Sequence, residues 1–273
     1  MALKDISLSS SAKENLFSIQ NITKSLDKTE NRLATGKKVN SALEGAAAFL
    51  QSQGFLDRAN DLASVKDAAS TALQTLNVAN NGIDAAAKLV DQAKGLATAA
   101  LQTQDPTQRA ALAQQFDDLR SQIDSVVRDS SLNGRNVIDG TSGNLNVSFN
   151  PDNSSSLTVA NKDLTSTGLG VAASTNSFVS NTDINTALNN LNSASATLRT
   201  TAASIGSNAT VIQTRQDFTS DLINTLTSAS DSLTLADPNE EAANLLAQKA
   251  QQSLSITSLG ISNQQQQAIV KLF

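Results

Sequence analysis

Cysteine, histidine, tryptophan and tyrosine are all missing from this 273-residue chain. Without thiols there is no disulfide and no thiolate nucleophile, and without Cys or His there is no zinc site of the usual ligands. A Ser-His-Asp triad lacks its base. Eight Phe are the only aromatics, so stacking platforms for bases or sugars are scarce. A net charge of −5 lacks the positive field that nucleic-acid binding needs. No spaced Asp/Glu constellation supports metal-assisted catalysis, so no enzyme, cofactor or metal is expected. Residues 1–20 show no basic start followed by an apolar run, so no cleaved secretory signal is expected. The uncharged stretch from Ala250 to Val270 is rich in Gln, Ser and Asn, which is too polar to span a bilayer.

What is present is a seven-residue period. Stepping by three and four from Leu62 gives Val65, Ala69, Ala72, Leu76, Ala79, Ile83, Ala86, Val90, Ala93, Ala97 and Ala100. Every position is apolar, as in the seam of a coiled coil. Seven of the twelve seam positions are Ala, which admits a partner helix closely. Asp105-Pro106-Thr107-Gln108 then reads as an N-cap, a proline at the first helical position and a capping-box Gln. The next helix keeps the period through Leu112, Phe116, Leu119, Ile123 and Val126, ending near Asn133-Gly134, a pair suited to a left-handed turn.

Residues 139–181 are rich in Gly, Ser, Asn and Thr. Leu145, Val147 and Phe149 alternate with polar residues, as do Leu157 and Val159, around Asn150-Pro151-Asp152-Asn153. This predicts a β-hairpin on a polar connector. A second long seam follows through Ile184, Leu191, Leu198, Ile205, Ile212 and Leu226, and breaks at Asp237-Pro238-Asn239-Glu240. The last helix carries Leu246, Ala250, Leu254, Ile261, Ala268 and Leu272; the first carries Ile19, Ile22, Leu26, Thr29 and Leu33 and should stop at Gly36. The expected fold is mainly α: long antiparallel helices in a coiled-coil-like hairpin bundle, with a short β-hairpin region in mid-chain.

The two long seams satisfy each other, but the terminal stripes are too thin to be stable alone in water. Burying them against other copies of the chain resolves this, and contacts between different surfaces of identical chains give a filament when they do not close. Composition and period thus lead to a self-assembling structural protein without catalysis.

The stretch Arg32-Leu33-Ala34-Thr35-Gly36-Lys37-Lys38-Val39-Asn40-Ser41-Ala42 closely resembles the amino-terminal signature of bacterial flagellins. The family's usual acidic pair is one acid short in Leu43-Glu44-Gly45-Ala46. Leu132-Asn133-Gly134-Arg135 through Asp139-Gly140 resembles the family's turn after its third amino-terminal helix. Ala236-Asp237, Glu240-Glu241, the Gln-rich segment and Val270–Phe273 resemble its closing helix.

The resemblance implies a subunit of the extracellular flagellar filament, secreted through the type III apparatus. Its implied partners are other copies of itself, the export apparatus and chaperone, and the hook-associated junction and cap proteins, with no membrane insertion. It implies inner-tube helices at 1–40 and 237–273, an outer helical core at 41–140 and 182–236, and a short variable region at 141–181 open to O-glycosylation. The rivals are a hook–filament junction protein of the same family and a flagellin-like adhesin or polysaccharide binder. Lys24, Lys28, Arg32, Lys37 and Lys38 outweigh Asp27 and Glu30. They read as a solvated face, or by family analogy as an export or intersubunit site. Gly36-Lys37-Lys38 lacks the rest of a phosphate loop.

Vertebrate innate receptors recognise many flagellins through Arg, Leu and Glu. The matching positions here are Lys94, Leu96 and Gln115. Lys lacks the bidentate geometry of Arg, and Gln lacks the charge of Glu. A reporter-cell assay should therefore register activation well below that of an enteric flagellin.

Overall fold

The computed structural model describes residues 10–271. Residues 1–9 of the expected first segment, and Leu272 and Phe273 of the expected closing stripe, lie outside the described residues. The helices are α1 (Ser10–Thr35), α2 (Ala42–Gln102), α3 (Pro106–Asp129), α4 (Asn181–Thr234) and α5 (Pro238–Lys271). Between α3 and α4 lie β1 (Leu145–Ser148) and β2 (Ser156–Val159). The mainly α hairpin architecture is as expected. Among the described residues no helix is long and apolar enough to cross a membrane. The chain divides into two compact units, one of Arg58–Asn224 and one of the described residues up to Asp57 and from Thr225 onward.

In the unit of Arg58–Asn224 the seam on α2 is buried at every position from Leu62 to Ala100 except Val65, which is half-buried. On α4, Ile184, Leu191, Leu198, Ile205 and Ile212 recur every seven residues and are all buried. The two helices run antiparallel: Lys94 Nζ donates to Ser195 Oγ at 2.6 Å, and Gln216 Nε2 to the Lys66 carbonyl at 3.4 Å. α3 adds Ala113, Phe116, Ile123 and Val127 to the same core.

The cap of α3 differs in one respect from its expected form. Asp105 does cap the helix, accepting from the Thr107 amide at 2.9 Å. Gln108 makes no reciprocal bond to the Asp105 amide, because that amide donates to Thr103 Oγ1 at 3.2 Å. The Thr103 hydroxyl in turn donates to Gln108 Oε1 at 3.0 Å. After α3, Asn133 and Gly134 both have positive φ (50° and 75°). Paired 2.9 Å bonds between Leu132 and Arg135 close a two-residue turn of the kind Asn-Gly favours.

β1 and β2 pair antiparallel with Leu145 opposite Val159 and Val147 opposite Leu157, as the alternation predicts. The connector is not simply polar, however. Leu164, Leu169, Val171 and Phe178 are all buried in the helical core. Carboxylates on α3 tie its backbone down: Asp117 accepts from Ser174, and Asp124 from Ser166, through amide and hydroxyl in both cases. Phe178 sits at φ 58°, a conformation costly for a bulky residue. Full burial and an edge-to-face contact with Phe116 at 5.3 Å offset that cost.

Asp139 holds the start of the connector. Its carboxylate accepts from the amides and hydroxyls of Thr141 and Ser142 and from Asn161 Nδ2. Partial burial pushes its carboxyl up, but the bonds from Asn161, Thr141 and Ser142 outweigh this and hold it well below the usual carboxylate range. A folded-state value below the unfolded one contributes stability above about pH 4 that is lost on acidification below it. Denaturant midpoints should thus fall more steeply below about pH 4 in the unsubstituted chain than in Asp139→Asn.

Two helical glycines make opposite predictions. A Cβ on buried Gly82 would lie 2.0 Å from Ser130 Oγ and 2.7 Å from Ser130 Cβ, whereas one on exposed Gly206 meets nothing within 4 Å. Gly82→Ala should lower unfolding stability by about 1–3 kcal/mol through overpacking. Gly206→Ala should raise it by about 0.5–1 kcal/mol by restricting the unfolded chain.

Candidate functional site

α1 and α5 form an antiparallel pair within one unit. α1 ends where Gly36 takes φ +68°, the left-handed conformation that closes a helix. α5 begins behind Asp237, whose carboxylate accepts from the Asn239 amide at 2.8 Å. The two linkers at this end are bonded together. The Ala236 amide donates to the Gly36 carbonyl at 3.0 Å, and the Lys38 amide to the Thr234 carbonyl at 2.7 Å.

The inner faces of the pair follow a three–four period on both helices. On α1, Asn15, Ile19, Ile22, Leu26 and Leu33 are half-buried and Thr29 is buried. On α5 the covered positions are Glu241, Leu245, Gln248, Gln252, Ser255, Leu259 and Ser262. Polar contacts run the length of the pair. Asn15 donates to Ser258 at 3.4 Å and Gln252 to Thr23 at 3.3 Å, while Lys249 stands 3.6 Å from Glu30. Arg32 Nη1 donates to Glu241 Oε1 at 2.8 Å.

The apolar stripe of α5 faces the other way. Leu246, Leu254 and Ile261 are 71%, 70% and 52% exposed, and Ile256 is also exposed. On α1, Leu16 and Phe17 are also exposed. At about 100° per residue, Leu246, Leu254 and Ile261 fall on the side of α5 opposite its covered stripe. A continuous exposed apolar stripe marks an interaction surface.

The remaining sequence-derived positions fall in three places. Leu62, Leu76, Ile83, Val90, Leu198, Ile205 and Ile212 are buried in the unit of Arg58–Asn224, where Val65 is half-buried. Leu226 is half-buried in the other unit. Of the signature residues, Arg32 joins Glu241. Asn40 turns the linker, its side chain donating to the Lys37 carbonyl and its amide to Glu44 Oε2. Ser41 precedes α2, Ala42 opens it, and Asn133 and Gly134 form the turn after α3. Leu96 and Gln115 line one shallow hollow between α2 and α3, together with Gln92, Gly95, Asp118 and Leu119. Lys94 points elsewhere, toward Ser195 on α4.

Three features escaped sequence reading. The inner stripe of α5 is as periodic as the outer one but less apolar, so hydrophobicity did not pick it out as the face covered within the chain. Glu241 stood out only as half of an acidic pair. Arg109 is buried and donates to the Thr103 and Val179 carbonyls and to Asn181 Oδ1; a lone Arg in a first helical turn gives no sign of this.

Known proteins match this arrangement. The family model described as the bacterial flagellin N-terminal helical region matches residues 6–143. Flagellin FljO and flagellin FljM of Caulobacter vibrioides are each 31% identical, over the whole of this chain and the whole of each relative. A flagellin of Brucella melitensis is 26% identical over 99% of both chains. The crystal structure of Bacillus cereus flagellin superposes with a TM-score of 0.50 at 18% identity, covering 56% of this chain and 88% of that one.

Proposed function

The chain belongs to the bacterial flagellin family, and from that membership we propose how it builds a filament. It is a structural subunit of the flagellar filament. The observation that carries the mechanism is the outward-facing stripe of Leu246, Leu254 and Ile261 on α5. In an isolated chain this stripe is wet. Covering it with the corresponding helices of neighbouring copies supplies roughly 25 cal/mol per Å² of apolar surface removed from water, repeated at every subunit. Residues 1–40 and 237–273 then form the inner tube. Residues 41–140 and 182–236 form the outer helical core, held by Leu76, Ile83, Val90, Ile205 and Ile212. Residues 141–181 are the short outward region.

The subunit leaves the cell through the flagellar type III apparatus, escorted by an export chaperone, and adds to a filament bounded by junction and cap proteins. A chain without cysteine forms no disulfides that would hinder passage unfolded through a narrow channel. Its work is mechanical: repeated contacts convert secreted subunits into a rigid tube that turns motor torque into thrust.

Electron microscopy of the purified chain under polymerising conditions tests this reading. Long filaments are expected, whereas only short assemblies would favour a junction protein. Leu254→Asp places a charge on a surface that is already wet, so its circular dichroism and unfolding midpoint should match the parent. Filament yield should nevertheless fall by about tenfold or more, because the charge is buried on assembly. Undiminished filaments from Leu254→Asp would rule out the outer stripe as the assembly surface.

A further inference from the structure

α1 and α2 each carry an exposed face that leaves charge unpaired. On α1 the side opposite covered Ile19, Ile22 and Leu26 holds Phe17, Lys24 and Lys28. On α2 the side opposite buried Ser52 and Ala59 holds Leu50, Asp57 and Asp61. Phe17 and Leu50 are each 66% exposed. None of the four charged groups forms an ion pair with another described residue. Like charges four residues apart destabilise a helix. Lys24 and Lys28 are such a pair on α1, and Asp57 and Asp61 are one of opposite sign on α2.

The two faces match in spacing as well as in charge. Each starts with a large apolar residue, meets its first charge seven residues later and its second four residues after that. Laying the helices parallel with Phe17 against Leu50 brings Lys24 beside Asp57 and Lys28 beside Asp61. Asn21 then faces Gly54, where a Cβ would meet nothing within 4 Å, so that turn of α2 is open to a neighbour. Laying them in opposite directions on the same apolar pair leaves all four charges unpaired.

A chain cannot make this contact with itself. At 1.5 Å per residue, Phe17 lies about 27 Å before the end of α1 at Thr35, and Leu50 about 12 Å beyond the start of α2 at Ala42. The parallel pairing therefore sets Thr35 and Ala42 about 39 Å apart along the axes. The chain between those two residues spans about 25 Å when fully extended.

We propose that α1 of one copy lies parallel to α2 of a second copy, with Phe17, Lys24 and Lys28 on Leu50, Asp57 and Asp61. This is a second assembly contact, distinct from the outer stripe of α5, and it rests on the filament reading. Burial of Phe17 and Leu50 supplies the attraction. The charges fix direction and offset, which is what complementary charge does best at an interface. The partner is this same chain, because its own surface meets both the spacing and the sign.

Two charge-reversed chains test the contact, Lys24→Glu with Lys28→Glu and Asp57→Lys with Asp61→Lys. All four positions are exposed, so circular dichroism and unfolding midpoints should match the parent. Alone, each reversed chain sets like charges face to face, and its critical concentration for polymerisation should rise by about tenfold or more. Mixed in equal amounts, each chain supplies the face that the other needs, and co-assembly should bring the critical concentration back toward the parent's. The chain with all four substitutions should polymerise like the parent.

A parent that polymerises while either reversed chain does so equally well overturns this contact and leaves the filament reading standing. Rescue by neither mixing nor the fourfold substitution overturns it too. Rescue only when all four substitutions share one chain places the pairing within a copy and also overturns it. So does a reversed chain that loses helix before assembly, since its charges are then met within the chain. A parent that forms no filaments removes the filament reading and this contact together.

Discussion

One helix cannot turn two stripes toward a single neighbour, and α5 carries two. The stripe through Leu245, Gln252 and Leu259 lies against α1, and the stripe through Leu246, Leu254 and Ile261 is left to water. Within one chain there is no arrangement of this pair that covers both. The chain therefore carries an unmet demand for burial, and repetition of the chain meets it. In the filament we propose, self-assembly rests on covering this stripe.

The unit of Arg58–Asn224 contributes the opposite property. Its stripes on α2 and α4 face each other, and the alanines between larger residues let the helices approach closely. Contacts such as Gly82 with Ser130 leave no room for even a methyl group. The connector between the strands and α4 adds Leu164, Leu169, Val171 and Phe178 to this core. A residue type that looks like polar filler, Ser or Thr, is used there to bind Asp117, Asp124 and Asp139. The unit is complete in itself, whereas the α1–α5 pair is not.

Legibility in the sequence tracked how many competing patterns a segment held. The α2 stripe was readable because twelve successive seam positions are apolar and no rival stripe exists. The hairpin was readable because Leu145 to Phe149 alternate strictly and Asn150-Pro151-Asp152-Asn153 can only turn. The buried part of the connector was not, since its apolar residues follow neither a helical nor a strand period. Phe178 was least readable of all: its positive φ is tolerated only because Phe116 is waiting beneath it. Gln108 was misassigned as a capping-box partner because Thr103, three residues before the helix, intercepts it.

By itself the sequence determined the helical class, the breaks at Asp105-Pro106 and Asp237-Pro238, the two facing seams, and the signature that points to a filament protein. The class, the breaks and the seams depend on local chemistry or on period, which a linear string displays, and the signature points to a filament protein by its resemblance to a known family. Tertiary structure alone decided which stripe of α5 turns inward, that Arg32 meets Glu241 across 209 positions of chain, and that the polar connector carries core. Those outcomes depend on which surfaces compete for the same neighbour. Periodicity reports that a stripe exists and is silent about what lies opposite it.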